Sequence, residues 1–345
     1  MMNIAFGSEH DGVHDIGECG YEWWYYDCVS EDSEYSVVLI FFRDIPMLPK
    51  CINERSTSIQ KRHNSFDGLS INVYHKKKKI AQKLIWSTRH HTCFDEESET
   101  VSFLGNTVSH HLNTYAINVD IDTGNDSRRI VFYANLLNEN SYVNVGERIN
   151  PAVHTWLAIA PVMFGECHLE IWDGGARKIQ TTFSAHAYHD HNVGALPVFR
   201  EFHSWYWGKV VCDYCTFVYY YVPAKNEQQL LQWACIFEKK SNNCMILRDV
   251  VVQEYTMSLT YTGLRYCKKM VITGFTNNND AVELTVLQNY TVENGPFYIR
   301  FASIATLKIN STVFTDTHAI GEYFHAKRLT SKIVQTFISL PWTEV

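Results

Sequence analysis

Apolar and polar residues alternate along most of the chain, in short runs separated by turn residues. A period of two places successive side chains on opposite faces of an extended segment, which is typical of β-strands with one buried face. Turn residues such as Asp173-Gly174-Gly175 separate the runs. The pattern predicts many short antiparallel strands without helices between them, and therefore barrels or sandwiches. Such runs cover residues 35–42, 115–121, 130–135, 210–222, 230–237, 250–255, 270–275, 282–290 and 297–307.

One helix is predicted near the end of the chain. Thr330 or Ser331 can cap its first turn, and Pro341 stops it. We expect this short helix to plug or cover a barrel. At helical spacing, five apolar residues fall on one face: Leu329, Ile333, Val334, Phe337 and Ile338.

The length of 345 residues favours about two domains. Alternation breaks at residues 193–197, before a new strand run begins at Trp205. We therefore predict an N-terminal barrel over residues 1–200 and a C-terminal barrel over residues 201–345. The polar stretch from Cys51 to Asn64 has little pattern, and we interpret it as a long loop that could act as a lid.

Charge and hydropathy exclude several classes of partner. The formal net charge is -7, whereas binding to nucleic acid or to an anionic membrane needs a concentrated basic face. No apolar run approaches the roughly 18 residues of a membrane-spanning helix, and residues 1–11 lack the apolar core of a secretory signal. We expect a cytoplasmic protein without stable membrane insertion. Its ten cysteines should be reduced, with zinc or redox chemistry at Cys212 and Cys215 the less favoured alternative.

The first candidate cluster is the aromatic run at residues 21–27. Alternation sends Glu22, Trp24 and Tyr26 to one face of the predicted strand. A carboxylate beside two large rings must be paired or must change its protonation state. A substrate-binding role for these three residues and a purely structural role for Glu22 are both consistent with this pattern.

The second cluster places His186, Tyr188, Asp190 and Asn192 on one face of another predicted strand. Four polar groups on one face are costly to bury unless they serve a function. A metal site is the rival interpretation, but residues i and i+4 of a strand lie about 13 Å apart, so ligands would have to come from elsewhere. We favour acid–base chemistry without a metal.

The third cluster, residues 202–209, includes Trp205 and Trp207, whose rings could line a pocket or simply pack in a core. Phosphate-binding and dinucleotide-binding glycine motifs are absent from the sequence, as are a nucleophile elbow and a zinc-protease helix. The sequence therefore predicts no cofactor.

Taken together, Tyr21-Glu22-Trp23-Trp24-Tyr25-Tyr26-Asp27, Tyr188-His189-Asp190-His191-Asn192 and Trp205-Tyr206-Trp207-Gly208-Lys209 resemble the signature of the carotenoid 1,2-hydratase and AttH-like superfamily. Ile320-Gly321-Glu322-Tyr323 is similar to the Gly-x-x-Glu turn of the family's second domain. The chain departs from the pattern at Val193, where the family usually carries Trp. This departure puts the hydratase substrate in doubt more than the fold.

The resemblance implies an all-β chain of two lipocalin-like antiparallel barrels with a pocket near their junction. It also implies chemistry on carbon–carbon double bonds, because members hydrate acyclic carotenoids or cyclise polyenes and isoprenoids, including by Diels–Alder closure. The Tyr-x-Asp pair implicated in protonating the double bond corresponds to Tyr188 and Asp190.

Our hypothesis from the sequence is a cofactor-independent hydratase or cyclase that acts on a large apolar substrate. Asp190 and Tyr188 would be catalytic, while His186 and Asn192, with Trp205 and Trp207, would contact substrate. The alternative is a non-catalytic carrier of hydrophobic small molecules. A purely structural role ranks third. The sequence does not determine the substrate or the oligomeric state.

Overall fold

A computed structural model describes residues 3–6, 11–57, 65–122, 127–138, 154–224, 230–241, 243–315 and 318–345. The chain divides into two compact units. The first contains Met1–Glu201 together with Gln335–Val345, and the second contains Phe202–Val334. The division between residues 200 and 201 stays a prediction, and the last eleven residues belong to the first unit.

The first unit is one sheet of 13 strands that curls into a nearly closed barrel. The strand order is β25-β5-β4-β3-β2-β12-β11-β10-β9-β8-β7-β6, with β1 paired to β11. The strands are β1 (Asn3–Phe6), β2 (Tyr21–Ser30), β3 (Tyr35–Arg43), β4 (Asp67–His75), β5 (Lys78–Ser87), β6 (Cys93–Asp95), β7 (Thr100–Phe103), β8 (Asn106–His111), β9 (Thr114–Asp122), β10 (Arg128–Leu137), β11 (Thr155–Asp173), β12 (Ala176–Gly194) and β25 (Trp342–Glu344).

The second unit is a ten-stranded sheet that forms a half-barrel, with a separate two-stranded sheet of β18 and β19. The order is β16-β15-β14-β13-β24-β22-β21-β20-β17, with β23 paired to β22. The strands are β13 (Trp205–Val211), β14 (Cys215–Val222), β15 (Leu231–Glu238), β16 (Cys244–Ile246), β17 (Arg248–Glu254), β18 (Met257–Leu259), β19 (Arg265–Cys267), β20 (Lys269–Phe275), β21 (Ala281–Asn294), β22 (Tyr298–Ile309), β23 (Thr312–Phe314) and β24 (His318–Phe324).

The predicted all-β architecture of two lipocalin-like units is confirmed. Alternate residues of each strand point into the barrel core, as the period of two predicted. On β2, for example, Trp24, Tyr26 and Cys28 belong to the core of the first unit, and on β12 Ala185 and Ala187 do. We call this side of the sheet the inner face and the opposite side the outer face.

The pairing of β11 with β12 has three irregularities, and two of them lie close together in the first half of β11. The register shifts between Ala158 and Ala160 and again between Ala160 and Met163. Pro161 lies within this stretch, and proline has no N–H to donate to a ladder, which suits a bulge. The two bulges place two extra residues on β11, so the alternation of faces is the same before and after them.

Within the part of the chain that the structure describes, short α-helices occur at three places: α1 (Pro49–Thr57), α2 (Val198–Glu201) and α3 (Lys332–Ser339). The interpretation of residues 51–57 as loop was wrong, because Cys51, Ile52 and Arg55 recur at helical spacing and are buried. The rest of the predicted lid, residues 58–64, lies outside the described residues. None of the helices that the structure describes is long and apolar enough to cross a membrane.

The predicted C-terminal helix is present as α3, which begins immediately after Ser331. Leu329 lies before it in a 3-10 turn. Val334 and Ile338 are buried, whereas Ile333 and Phe337 are 73% and 59% exposed. Only one edge of the predicted apolar face, with Val334 and Ile338, is therefore buried.

Candidate active site

The pairing of β2 with β12 decides which predicted site residues share a face. Asp190 lies opposite Tyr25, and His191 lies opposite Trp24. Directly paired residues project to the same side of a sheet. Tyr188, Asp190 and Asn192 therefore lie on the outer face, whereas Trp24 lies on the inner face.

The Asp190 carboxylate is the centre of a buried hydrogen-bond network on the outer face. Asp190 is only 5% exposed. Its Oδ2 accepts hydrogen bonds from the Tyr188 hydroxyl at 2.8 Å and from Trp156 Nε1 at 2.9 Å. Its Oδ1 accepts a hydrogen bond from Asn192 Nδ2 at 2.7 Å. The structure thus brings three of the predicted site residues together and adds Trp156, which sequence reasoning missed.

The three donors that the described residues supply to Asp190 are uncharged. Hydrogen bonds from a phenol, an indole and an amide stabilise a carboxylate without supplying a compensating positive charge. They also fix the carboxyl group in one orientation, because Trp156 and Tyr188 converge on the same oxygen. These hydrogen bonds favour the ionised form, so a role as proton donor requires that burial keep Asp190 protonated before the reaction.

A second carboxylate lies beside this network on the same face. Asp27 lies opposite Tyr188 in the strand pairing, and its Oδ2 accepts a hydrogen bond from the Tyr25 hydroxyl at 3.1 Å. The rings of Tyr25 and Tyr188 meet edge to face at 6.2 Å. Asp27 is 1% exposed, so the outer face contains two buried carboxylates within one patch of tyrosines.

A third group of polar residues, Tyr21, His154 and Glu201, lies at the start of β2. Its hydroxyl lies 2.8 Å from His154 Nδ1 and donates to Glu201 Oε2 at 3.3 Å. The backbone N–H of His154 donates to Glu201 Oε1 at 3.0 Å. Burial lowers the pKa of His154 to about 3, so this imidazole is neutral near pH 7. Neither His154 nor Glu201 stood out in the sequence.

Glu201 is the carboxyl group of this site whose protonation changes near neutral pH. Burial raises its pKa from the ordinary value of 4.5 to about 7, although hydrogen bonds from His154 and Tyr21 oppose the shift. The folded state therefore binds this proton more tightly than the unfolded chain does. The corresponding stability is fully present below about pH 4.5 and is lost as the pH rises towards 7.

We expect Glu201→Gln to remove this pH dependence. The amide keeps an acceptor for the His154 N–H but stays uncharged. The free energy of unfolding of the variant should therefore increase relative to that of the wild type between about pH 4.5 and 7, and this difference should remain constant above about pH 7. Urea unfolding of both proteins at a series of pH values measures the difference. A stability difference that stays constant with pH would contradict the assignment.

The other predicted residues of the first strand lie on the inner face, away from Asp190. Trp24 stacks on His191, with ring centroids 4.5 Å apart, and Tyr26 stacks on His189 at 4.0 Å. Glu22 is fully buried and contacts His191 Nε2 at 3.0 Å. These three residues therefore do not join Tyr188 and Asp190 in one site, because the strand pairing separates them.

The remaining predicted residues are placed as follows. His186 is partly exposed on the outer face of β12 and lies against Phe164, with ring centroids 5.5 Å apart. Trp205 and Trp207 belong to the second unit and are 6% and 4% exposed. Trp205 stacks on Phe324 at 4.2 Å. Both tryptophans are thus buried, as a ring-lined pocket or a packed core would require.

A cleft lies in the first unit next to the Tyr21 group, and it measures about 210 Å³ when its open mouth is counted. Tyr21 and Phe199 border it on one side, and Asp44 and Arg55 of a buried ion pair border it on the other. Its enclosed space is about 10 Å³, which is room for about one water molecule. The cleft in this structure therefore does not hold a polyene.

The sequence as a whole matches the carotenoid hydratase CrtC family model over residues 60–342. The chain is also 23% identical to a protein of Chlorobaculum tepidum named hydroxyneurosporene dehydrogenase, an alignment that covers 97% of this chain and 91% of the relative.

Two solved structures are similar in fold. One is a protein of Nitrosomonas europaea described as AttH, with a TM-score of 0.54 at 10% identity over 91% of this chain and 95% of the other. The second is kievitone hydratase from Nectria haematococca, with a TM-score of 0.52 at 10% identity over 94% of this chain and 96% of the other. At these identities, the likeness extends to the fold alone.

Proposed function

Since the chain belongs to the carotenoid hydratase CrtC family, we propose that it is an enzyme that protonates a carbon–carbon double bond of a large apolar isoprenoid or polyene. The observation that carries this proposal is the buried Asp190 carboxyl group with its three uncharged donors. Addition of water to the resulting cation is the reaction that the family description favours.

The proposed reaction begins with transfer of the Asp190 proton to one alkene carbon. The electron pair of the double bond forms the new C–H bond, which leaves a carbocation on the substrate and a carboxylate at Asp190. Alkenes are weak bases, so this step needs strong stabilisation of the carboxylate that forms. The hydrogen bonds from Tyr188, Trp156 and Asn192 supply that stabilisation.

The carbocation is then captured by water, which forms a C–O bond and returns its proton to the Asp190 carboxylate. Trp156 and Tyr188 lie beside this carboxyl group, and the ring of Tyr25 meets the ring of Tyr188. Aromatic faces attract a developing cation, so we propose that these rings stabilise it. If a second double bond of the same substrate captures the cation in place of water, a ring forms and the positive charge moves to another carbon. The Asp190 carboxylate then takes a proton from a neighbouring carbon, which leaves a new double bond and a cyclised isomer. Both outcomes share the first proton transfer, so Asp190 has the same role in each.

A direct test is incubation of the purified protein with an acyclic carotenoid in deuterium oxide. We expect a product that carries one deuterium on carbon, together with an added hydroxyl group if water captures the cation. Mass spectrometry distinguishes this product from a cyclised isomer. Carotenoid that is bound but recovered unchanged would instead identify a carrier and would overturn the proposal for this substrate class.

A further inference from the structure

A buried cluster of imidazole and carboxylate groups lies on the inner face, apart from the Asp190 network. His14 comes from the segment before β2, Glu22 from β2, and His191 from β12. Glu22 Oε1 lies 3.0 Å from His14 Nδ1 and 3.0 Å from His191 Nε2. One ligand atom from each residue lies within 4.8 Å of the others. Glu22 and His191 are fully buried, whereas the His14 side chain is 21% exposed.

The surroundings of His191 require more positive charge than a neutral imidazole provides. Its Nε2 faces Glu22 Oε1, and its Nδ1 lies 3.5 Å from Asp11 Oδ1 without a hydrogen-bond partner. A neutral imidazole carries one N–H. Whichever nitrogen carries it, the lone pair of the other nitrogen points at a carboxylate oxygen in a buried place, which is unfavourable.

We propose that His14 Nδ1, Glu22 Oε1 and His191 Nε2 bind a divalent transition-metal ion such as Zn²⁺. Two imidazoles and one carboxylate are a common ligand set for zinc. With the ion at Nε2, the hydrogen of His191 moves to Nδ1 and points at Asp11. A carboxylate behind a ligating histidine is a recurrent feature of zinc sites because it fixes the ring and raises its basicity.

Arg43 and Asp11 complete the surroundings of the ion. Arg43 contacts the other oxygen of Glu22, Oε2, and donates to the backbone carbonyl of His14 at 3.2 Å. Glu22 can therefore offer Oε1 alone. The positive charge of Arg43 lowers the affinity for a cation, and the negative charge of Asp11 offsets part of that loss.

The consequence of metal binding would be structural. His14 and Asp11 belong to the segment that precedes β2, whereas Glu22 and His191 are on neighbouring strands. This segment is also held by a hydrogen bond from Trp24 Nε1 to the Asp11 carbonyl at 2.9 Å. A bound ion would fasten the segment to the sheet, on the face opposite to Asp190.

The experiment is titration of the full chain, freed of metal by a chelator, with zinc chloride in a calorimeter. We expect saturable binding of one equivalent and a rise in the unfolding temperature. His14→Ala should weaken binding by more than about 100-fold and Asp11→Asn by about 10-fold, because changes behind the ligands alone cost about 10- to 100-fold. Titration with cobalt(II) should give visible absorption bands that His14→Ala removes.

The matched control is His110→Ala, which removes an imidazole that lies 2.6 Å from a carboxylate oxygen of the half-exposed Glu99. We expect it to leave zinc affinity unchanged. The proposal is overturned if no saturable binding occurs, or if His110→Ala weakens binding as much as His14→Ala. His14 is partly exposed and Asp11→Asn preserves shape, so at least one variant should fold.

Discussion

Replacing Asp190 with Asn is expected to lower turnover by about 10²- to 10⁴-fold, the usual contribution of a general acid. The Asn side chain has nearly the same shape, and its carbonyl oxygen can still accept hydrogen bonds from Trp156 and Tyr188. It has no proton to give to an alkene. The measurement is the rate of product formation, alongside substrate binding, which we expect to change little.

Tyr188→Phe serves as the comparison for the Asp190 variant. It removes one of the donors to the carboxylate but leaves the carboxyl group in place. Its loss of turnover should therefore be smaller, about 10-fold, in proportion to one hydrogen bond of about 1.5 kcal/mol to a charged group. An Asp190→Asn variant that keeps the wild-type rate would remove Asp190 from the mechanism.

Glu22→Ala should cost about 3 kcal/mol of folding stability, more than any surface carboxylate would. Glu22 is fully buried and accepts hydrogen bonds from His14, His191 and Arg43. Its removal leaves these donors without their acceptor, and breaking a buried ion pair on one side costs about 3–5 kcal/mol. We expect a loss at the lower end of this range because the Arg43 side chain is 20% exposed and can bind water once Glu22 is removed. Urea unfolding with a chelator present measures the change without any metal contribution.

Glu170→Ala is the matched control for Glu22→Ala. Glu170 also has several partners, since it contacts Arg177, His168 and Trp172, but the side chain of Glu170 is 16% exposed and those of Arg177 and His168 are 43% and 32% exposed. Exposed ion pairs contribute little to stability, so its unfolding midpoint should hardly move. Equal losses of unfolding free energy for the two variants would show that the cluster around Glu22 contributes no more to folding stability than the contacts of Glu170 do.

Many of the longer strands were predictable because they carry their own signal. Period-two alternation marks a strand locally, and it identified the core residues Trp24 and Tyr26 as neighbours on one face of β2. The helix α1 was missed because its buried residues, Cys51, Ile52 and Arg55, include a cysteine and an arginine, which do not read as an apolar stripe. Arg55 is buried because it pairs with Asp44 at 2.9 Å, a partner outside the helix.

The residues that share a face of one strand were predictable, but the residues that meet across two strands were not. The sequence pattern does not show in which register two strands pair. Alternation correctly grouped Tyr188, Asp190 and Asn192, and separately grouped Glu22, Trp24 and Tyr26. Whether the two groups share a face depends on the register in which β2 and β12 pair. A register shift of one residue would move every side chain of one strand to the opposite face relative to the other strand. Asp190 pairs with Tyr25 rather than with Trp24, and this choice separates the groups.

Trp156, His154 and Glu201 were missed for a different reason. Their partners are distant in sequence: Trp156 bonds to Asp190 and His154 contacts Tyr21. An isolated tryptophan in an apolar strand looks like a core residue. The spacing His154-x-Trp156, which puts a histidine and an indole on one face of a strand, is the signal that could have singled them out.

The paired bulges of β11 make the proposed acid centre sensitive to the length of one short segment. Trp156 pairs with Asn192 because two extra residues, an even number that leaves its face unchanged, are accommodated between Ala158 and Met163. Loss of one residue there would draw Trp156 into register with His191 and turn its indole into the barrel, away from Asp190. Loss of two would restore the original side. In related chains, insertions and deletions within this segment should therefore occur in even numbers wherever the indole–carboxylate contact is kept.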